Sequence, residues 1–298
     1  MDSGAHSFIG GFEERVVATV DGLALYVRDY APLAPATGLP VICLHGLTRN
    51  SRDFEVIAPR IAALGRRVIV PDMRGRGRSA NDPDPAHYVP TVYAQDVIAV
   101  LDKLEIAQAV FLGTSMGGII TMLIGASAQD RVAASILNDI GPHVDPQGVA
   151  FIASYVGRVR PLASWDEAAE AAKTVAVAAF PERADDHDFW LTIAHRTYHQ
   201  LDTGQVEADY DPHIALAFAD LEHQPAADLT PLFQSLAGKP MLSIRGAISN
   251  ILSADTVAQM KALKPDLETV EIENIGHAPW LDEPAAWDAI LDFLARTP

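Results

Sequence analysis

The sequence of 298 residues has one cysteine and no long apolar run, and each shortage excludes a class of protein. Cys43 has no partner for a disulfide within the chain, so a reducing, cytoplasmic location is expected. No apolar run approaches the roughly 20 residues that cross a bilayer. The N-terminus also lacks the apolar segment of a secretory signal. Together these shortages predict a soluble protein that acts inside the cell.

Basic residues are also scarce, with 22 Lys and Arg against 39 Asp and Glu and a formal net charge of −17. Such a charge disfavours binding to nucleic acid or to an anionic membrane surface. The basic cluster at 74–78 is too short to form a nucleic-acid patch. We therefore expect a small-molecule substrate as partner, and a homodimer remains open. Cys43 lies inside an apolar run, which favours a buried structural thiol over a reactive one.

The chain alternates short β-rich apolar runs with helical patterns, as in a mainly parallel sheet with helices on both faces. The first two strands flank Asp21-Gly22, a strong hairpin signal, so the sheet should begin antiparallel. Strands are predicted at 15–20, 23–28, 41–45, 67–70, 109–113, 133–138, 241–245 and 269–272. Helices are predicted at 54–64, 91–104, 116–126, 254–263 and 284–295.

The alternation stops between residues 142 and 236, where the pattern is helical and shows no clear strands. We interpret this stretch as a helical cap inserted into a core formed by 1–141 and 237–298. A cap of this kind excludes water and shapes a pocket. Aromatic and His residues in the cap either line that pocket or pack in its core; they are Trp165, Trp190, His195, Tyr198 and His199. The acidic stretch at 185–188 reads as a solvated turn with a helix cap rather than a metal site.

Gly113-Thr114-Ser115-Met116-Gly117 has the form G-x-S-x-G between a predicted strand and a predicted helix. In that context the tight turn exposes the serine hydroxyl at the edge of the sheet. The helix N-terminus behind it favours developing negative charge. Ser115 is therefore the candidate nucleophile.

His45-Gly46-Leu47 follows the strand predicted at 41–45. In this architecture the loop after that strand supplies one backbone N–H to an oxyanion hole, and the residue after the nucleophile supplies the other. The candidates are the amides of Leu47 and Met116. His45 is interpreted as a structural residue that holds the loop, in preference to a catalytic base.

His277 lies after the last predicted strand and before the C-terminal helix. A histidine on that loop can fall back over the nucleophile and accept its proton. The order of nucleophile first and histidine last distinguishes His277 from the other nine histidines of the chain.

These segments, in this order, resemble the α/β-hydrolase superfamily and, within it, esterases, lactonases and C–C-bond hydrolases that carry a lid. The resemblance rests on LHGLTRN at 44–50, PDMRGRGRS at 71–79, GTSMGG at 113–118 and GHAP at 276–279. It implies an α/β fold with an eight-stranded, mostly parallel sheet and an inserted helical cap. It also implies hydrolysis of an ester, a lactone or an activated C–C bond through an acyl-enzyme on Ser115. Neither a metal nor an organic cofactor is needed.

The sequence departs from the family at the third position of the triad, where relatives usually carry an aspartate. Asn250 stands at that place in the loop after the strand at 241–245. Asparagine accepts a hydrogen bond but lacks the charge that stabilises an imidazolium, and in serine proteases that loss is on the order of 10⁴ in turnover. Three explanations follow: an introduced inactivating change, a weak enzyme or ligand-binding protein on a hydrolase scaffold, or a carboxylate from elsewhere.

Asp139 is the best alternative acid, because it follows the strand at 133–138 and lies between Ser115 and His277 in the chain. Some members of the superfamily place their acid after this strand. Its other interpretation is an anchor for the hinge into the cap. Asp255 is a poorer candidate, since a carboxylate in the first turn of a helix is favoured by the helix dipole alone.

Overall fold

The computed structural model describes residues 11–218 and 228–298. Its central feature is an eight-stranded sheet. The strands are β1 Glu13–Ala18, β2 Ala24–Tyr30, β3 Val41–Leu44, β4 Val68–Pro71, β5 Ala109–Thr114, β6 Val132–Asn138, β9 Met241–Gly246 and β10 Glu268–Ile272. Their order in the sheet is β1-β2-β4-β3-β5-β6-β9-β10. β1 and β2 pair antiparallel, as do β2 and β4, and the remaining neighbours are parallel. This is the eight-stranded, mostly parallel sheet with an antiparallel start that the sequence predicts.

The central strands are apolar throughout because both faces of the sheet are covered. The core helices are α1 Ile57–Ala63, α2 Pro90–Lys103, α3 Met116–Ser127, α8 Ala254–Leu263 and α9 Pro284–Arg296. Alternate residues of β3 enter two separate cores: Ile42 and Leu44 pack on the face of α2 and α3, and Val41 and Cys43 on the face of α1 and α9. All four are fully buried, and burial raises the pKa of the Cys43 thiol, as expected for a structural cysteine.

The segment after β6 forms a layer over one edge of the sheet. It contains α4 Pro146–Tyr155, α5 Trp165–Ala176, α6 His187–Thr197, β7 Tyr198–Gln200 and β8 Val206–Ala208. α5, α6 and β8 enclose a small core of their own around Trp190 and Val206. The expectation that this stretch has no strands is wrong, since β7 and β8 form an antiparallel hairpin. The strands have three residues each, too few to show an alternating pattern, and β8 is completed by the Leu162 backbone at 2.7 and 2.9 Å.

Two further details differ from the sequence-based expectations. The first hairpin has a longer turn than the two-residue turn at Asp21-Gly22 that the sequence predicts. The turn spans residues 19–23 and is closed by a backbone hydrogen bond from the Thr19 amide to the Leu23 carbonyl. α7 Thr230–Ser235, which falls inside the range predicted as cap, packs on α3, and its Phe233 belongs to the main core. The division at 142 and 236 thus remains a prediction. In the described part of the chain, each helix falls short of the length and apolarity needed to cross a membrane.

Candidate active site

Ser115 lies on the turn between β5 and α3, at the carboxyl edge of the sheet. Its φ of 51° is positive, which is rare for a residue with a side chain and is held here by the structure around it. A Cβ on Gly117 would lie 2.1 Å from the Leu44 carbonyl oxygen, and one on Gly113 would lie 2.4 Å from the Gly117 backbone. The motif therefore needs glycine on both sides for the turn to close and to present the hydroxyl.

His277 approaches Ser115 from the loop between β10 and α9. Its Nε2 is 2.9 Å from Ser115 Oγ, and its Nδ1 is 2.8 Å from Asp139 Oδ2. The His277 side chain is 16% exposed, whereas Asp139 is fully buried. With a carboxylate on Nδ1, the ring places its proton there and leaves Nε2 as an acceptor for the serine hydroxyl.

Asp139 directly follows β6 and is held in place by three polar groups. Its φ is 56°, its Oδ1 accepts a hydrogen bond from the Gly246 amide at 2.9 Å, and its Oδ2 accepts one from Ser249 Oγ at 2.6 Å. The same Oδ2 faces His277. The carboxylate thus connects the end of β9, the loop that carries Ser249 and the ring of His277.

Asn250, the residue at the usual place of the acid, is exposed and lines a cavity beside Ser115. Within residues 11–218 and 228–298, its side chain makes no hydrogen bond to His277. Its neighbour Ser249 reaches Asp139 instead, and Ser249 Oγ also accepts the amides of Ile251 and Leu252 at 3.1 Å each. Sequence reasoning missed Ser249, because a serine in a loop carries no signal of its own.

Leu47 lies on the loop after β3 and Met116 begins α3; a Cβ on Gly46, next to Leu47, would lie 3.9 Å from Ser115 Cβ. Neither residue's amide donates a hydrogen bond within the described part of the chain. The fully buried Arg76 supports both residues: its Nε donates to the Leu47 carbonyl at 2.9 Å, and its Nη2 lies 3.8 Å from Met116 Sδ. Among the described residues Arg76 has no carboxylate partner; its Nη1 donates to the Arg74 carbonyl and to the hydroxyl of Tyr93.

His45 is fully buried below this loop, and desolvation lowers its pKa. Its Nε2 accepts the Met73 amide at 3.0 Å, and its Nδ1 lies 2.7 Å from the Gly46 carbonyl. A neutral ring with hydrogen on Nδ1 satisfies both contacts. His45 therefore ties the loop after β3 to the turn after β4, and its ring nitrogens are occupied away from Ser115.

A cavity of about 520 Å³ opens above Ser115, between the sheet and the cap. Burial raises the pKa of Tyr155 and of Tyr198 to about 12, so both phenols stay protonated and can donate hydrogen bonds. Apolar and aromatic groups dominate the wall of this cavity, among them Phe151, Ile152, Tyr155, Ala172, Tyr198, Tyr210, Ile248 and Trp280. This size and lining suit a small organic substrate.

Of the five cap residues considered from the sequence, only Tyr198 lines this cavity. Trp190 is buried in the core of the cap, and Trp165 stacks on His195 with ring centroids 4.0 Å apart. Trp280, which lies three residues after His277, is one of the cavity aromatics that the sequence analysis did not consider. Arg49 from the loop after β3 and Arg196 from α6 contact its ring, at 4.2 and 4.8 Å from the centroid. Trp280 thus joins the loop that carries His277 to the loop after β3 and to α6.

The described residues bring one group of possible metal ligands together: Asp21, Asp82 and His87. The guanidinium of the buried Arg74 already contacts Asp21 and Asp82, and also Asp96. The guanidinium of Arg74 therefore occupies the centre of this acidic group, and the cluster stabilises the turn after β4.

Comparisons with known proteins agree with this architecture. The family described as alpha/beta hydrolase fold matches residues 40–284. A solved α/β hydrolase from Novosphingobium aromaticivorans is 42% identical with a TM-score of 0.89, over 96% of this chain and 99% of that one. The 3-hydroxybutyrate-oligomer hydrolase of Cupriavidus necator is 32% identical over 84% of this chain and 86% of that protein. The 2-(acetamidomethylene)succinate hydrolase of Mesorhizobium japonicum is 25% identical over 81% of this chain and 82% of its own.

Proposed function

The chain belongs to the α/β-hydrolase family and is a hydrolase, and from that premise we propose that it cleaves carboxylic esters through an acyl-enzyme on Ser115. The observation that carries the proposal is the continuous pair of contacts from Ser115 Oγ to His277 and from His277 to Asp139, at 2.9 and 2.8 Å. A nucleophile, a base and a buried carboxylate in this arrangement are what acyl transfer requires.

In the first step His277 Nε2 takes the proton of Ser115 while Oγ attacks the ester carbonyl. The resulting imidazolium is stabilised by the charge of Asp139, and it returns the proton to the alkoxide as the C–O bond breaks. The alcohol leaves and the acyl group stays on Ser115. A water molecule, deprotonated by the same histidine, then attacks the acyl carbonyl; the bond to Ser115 Oγ breaks, His277 returns the proton to Oγ, and the acid leaves.

The amides of Leu47 and Met116 are the groups that would hold the oxyanion in both steps. In other hydrolases a single oxyanion donor contributes about 2.7–4 kcal/mol to the transition state. Two features support this role: neither amide is used elsewhere in the described residues, and Arg76 fixes the elements that carry them. The N-terminus of α3 adds its dipole at the same point.

An ester is proposed ahead of a lactone or an activated C–C bond because of the relative from Cupriavidus necator, whose name specifies oligomers of a hydroxy acid. Linear oligomers of 3-hydroxybutyrate are chains of ester bonds with one terminal carboxylate. A serine at position 115 disfavours epoxide hydrolysis and dehalogenation, which normally use an aspartate there. The alternative of a ligand-binding protein depended on Asn250 leaving His277 without a carboxylate, and the Asp139 contact favours the hydrolase.

The test is hydrolysis of p-nitrophenyl acetate and of a linear 3-hydroxybutyrate dimer, together with labelling by a fluorophosphonate probe. The wild type should release p-nitrophenol with a burst and become labelled on one serine. Ser115→Ala should lose both signals, whereas Ser127→Ala should keep them, because Ser127 ends the same helix and bonds only to its own helix. Folded wild-type protein with neither labelling nor turnover would exclude the proposal.

A further inference from the structure

The cavity above Ser115 differs in charge from the rest of the molecule. The chain has 39 acidic residues, yet only one of those that the structure describes, Asp53, lines the cavity. Three arginines line it: Arg49, Arg158 and Arg160. A protein with a net charge of −17 thus has a substrate cavity with more positive than negative charge.

The pair formed by Arg49 and Asp53 contributes no net charge to this cavity. Arg49 Nε lies 3.0 Å from each carboxylate oxygen of Asp53, and Arg49 Nη2 lies 2.9 Å from one of them. Its guanidinium also contacts the ring of Trp280. Arg49 is therefore held by Asp53 and Trp280 and forms part of the cavity wall.

Arg158 and Arg160 lie on the connection between α4 and α5, at the exposed side of the cavity. Gly157 adopts a φ of +80° there, and its amide lies 3.2 Å from the Tyr210 hydroxyl, which fixes the connection to the cavity wall. Arg160 contacts Glu167 at 3.1 Å, and both groups are exposed. Arg158 has no carboxylate partner within residues 11–218 and 228–298.

We propose that Arg158, supported by Arg160, binds a carboxylate of the substrate, so that the enzyme prefers anionic esters to neutral ones. A guanidinium matches a carboxylate with two parallel hydrogen bonds, and a cleft of opposite charge concentrates its ligand. The remaining acidic surface repels anions, so a local positive charge is needed for an anionic ester to enter. This assignment rests on the proposed ester hydrolysis and specifies the substrate class for the same site.

The wall of the cavity between Ser115 and the α4–α5 connection is apolar. It therefore favours a substrate whose ester and carboxylate are joined by an apolar segment. Phe151, Ile152 and Tyr155 of α4 line that wall, and the cavity holds about 520 Å³. A substrate that fits has an ester carbonyl at Ser115, a short aliphatic segment along α4 and a carboxylate at Arg158.

A pair of substrates that differ in one charge tests the proposal. The linear dimer of 3-hydroxybutyrate is compared with the same dimer in which the terminal carboxylate is a primary amide. The wild type should show a kcat/KM for the acid about tenfold above that for the amide, the lower end of the effect of hydrogen bonds to a charged group, because Arg158 is exposed. The preference should decrease with added salt, because the Debye length falls from about 10 Å at 0.1 M to about 3 Å at 1 M.

Arg158→Gln should lower kcat/KM for the acid about tenfold and leave the amide unchanged, so that the ratio approaches one. Arg160→Gln should have a smaller effect, because Glu167 already shares its charge. Arg158→Lys should restore part of the preference. Arg296→Gln changes the net charge equally but lies at the end of α9, paired with Glu268, and should leave the ratio as in the wild type.

An equal kcat/KM for the acid and the amide in the wild type, or a preference that survives Arg158→Gln, would overturn the carboxylate site. Failure of the proposed hydrolysis would look different: neither dimer would be cleaved faster by the wild type than by Ser115→Ala. Circular dichroism and the rate of fluorophosphonate labelling show that each Arg variant is folded with its nucleophile intact.

Discussion

Replacing Asp139 by Asn removes the charge beside His277 and brings an amide into a place that is surrounded by donors. Oδ2 of Asp139 accepts the hydroxyl of Ser249 at 2.6 Å and faces His277 Nδ1 at 2.8 Å. Ser249 Oγ already accepts the amides of Ile251 and Leu252, so its hydrogen is directed toward Asp139. Gly246 and Ser249 both donate to this carboxylate, so an NH₂ in place of either oxygen faces a donor.

The asparagine side chain can adopt two orientations, and each removes a hydrogen bond that the carboxylate accepts. With its NH₂ toward His277, the ring must move its proton to Nε2, where it can no longer accept one from Ser115. With its oxygen toward His277, the NH₂ faces the Gly246 amide, and that buried backbone N–H loses its acceptor. The first orientation removes the general base, and the second destabilises the end of β9.

The wrong tautomer and the missing charge should lower turnover by about 10⁴, as for the corresponding change in serine proteases. An unsatisfied buried amide should lower the free energy of unfolding by about 1–3 kcal/mol. A change in stability of this size leaves the protein folded at 25 °C. Unfolding therefore does not account for the loss of turnover.

The assay is kcat/KM for p-nitrophenyl acetate together with urea unfolding. Asn250→Asp is the matched control, because it introduces a carboxylate at the family's usual position. Among the described residues the side chain at this position makes no hydrogen bond to His277, so the substitution should change turnover less than threefold. A reversed result, with Asp139→Asn active and Asn250→Asp raising turnover by orders of magnitude, would refute the assignment of the acid.

Three further predictions concern the supports of the site and of the fold. Arg76→Gln should lower kcat about tenfold with little change in KM, because the oxyanion loop loses a buried anchor; steady-state kinetics that show an unchanged kcat contradict that role. Gly117→Ala should abolish fluorophosphonate labelling, since its Cβ would lie 2.1 Å from a backbone oxygen of β3; labelling at the wild-type rate would show that the turn does not need glycine. Hydrogen bonds from Arg74 hold the pKa of Asp21 well below its usual 3.8, so this carboxylate stabilises the fold above about pH 4 and loses that contribution as the pH falls. Asp21→Asn should therefore destabilise the protein at pH 7 and progressively less below pH 4, as measured by urea unfolding; a difference that is constant with pH would count against the ion pair.

The parts of this protein that could be predicted from the sequence are those with a local signature. The strand, the G-x-S-x-G turn and the helix follow each other directly, so the position of Ser115 at the edge of the sheet is visible in the residues around it. The sheet strands are apolar runs bounded by turns, and their existence was predictable even where their ends moved by a few residues. The same holds for the antiparallel start of the sheet.

The remainder depends on contacts between distant segments. Asp139, Ser249 and His277 meet only because β6, β9 and β10 lie side by side, and no spacing in the sequence shows which of two loops supplies the acid. The β7–β8 hairpin is too short to produce a pattern. Trp280 contacts Arg49 from the loop after β3 and Arg196 from α6, a cluster that exists only after α6 has packed on the core.

The central claim is that Ser115 carries the acyl group during turnover. Rapid mixing with a 3-hydroxybutyrate dimer or p-nitrophenyl acetate, acid quenching and peptide mass spectrometry measure this directly. We predict a mass increase equal to the acyl group on the peptide that contains Ser115, appearing before steady state and absent from Ser115→Ala. Full turnover by Ser115→Ala, or an acyl group found on another residue, would contradict the account.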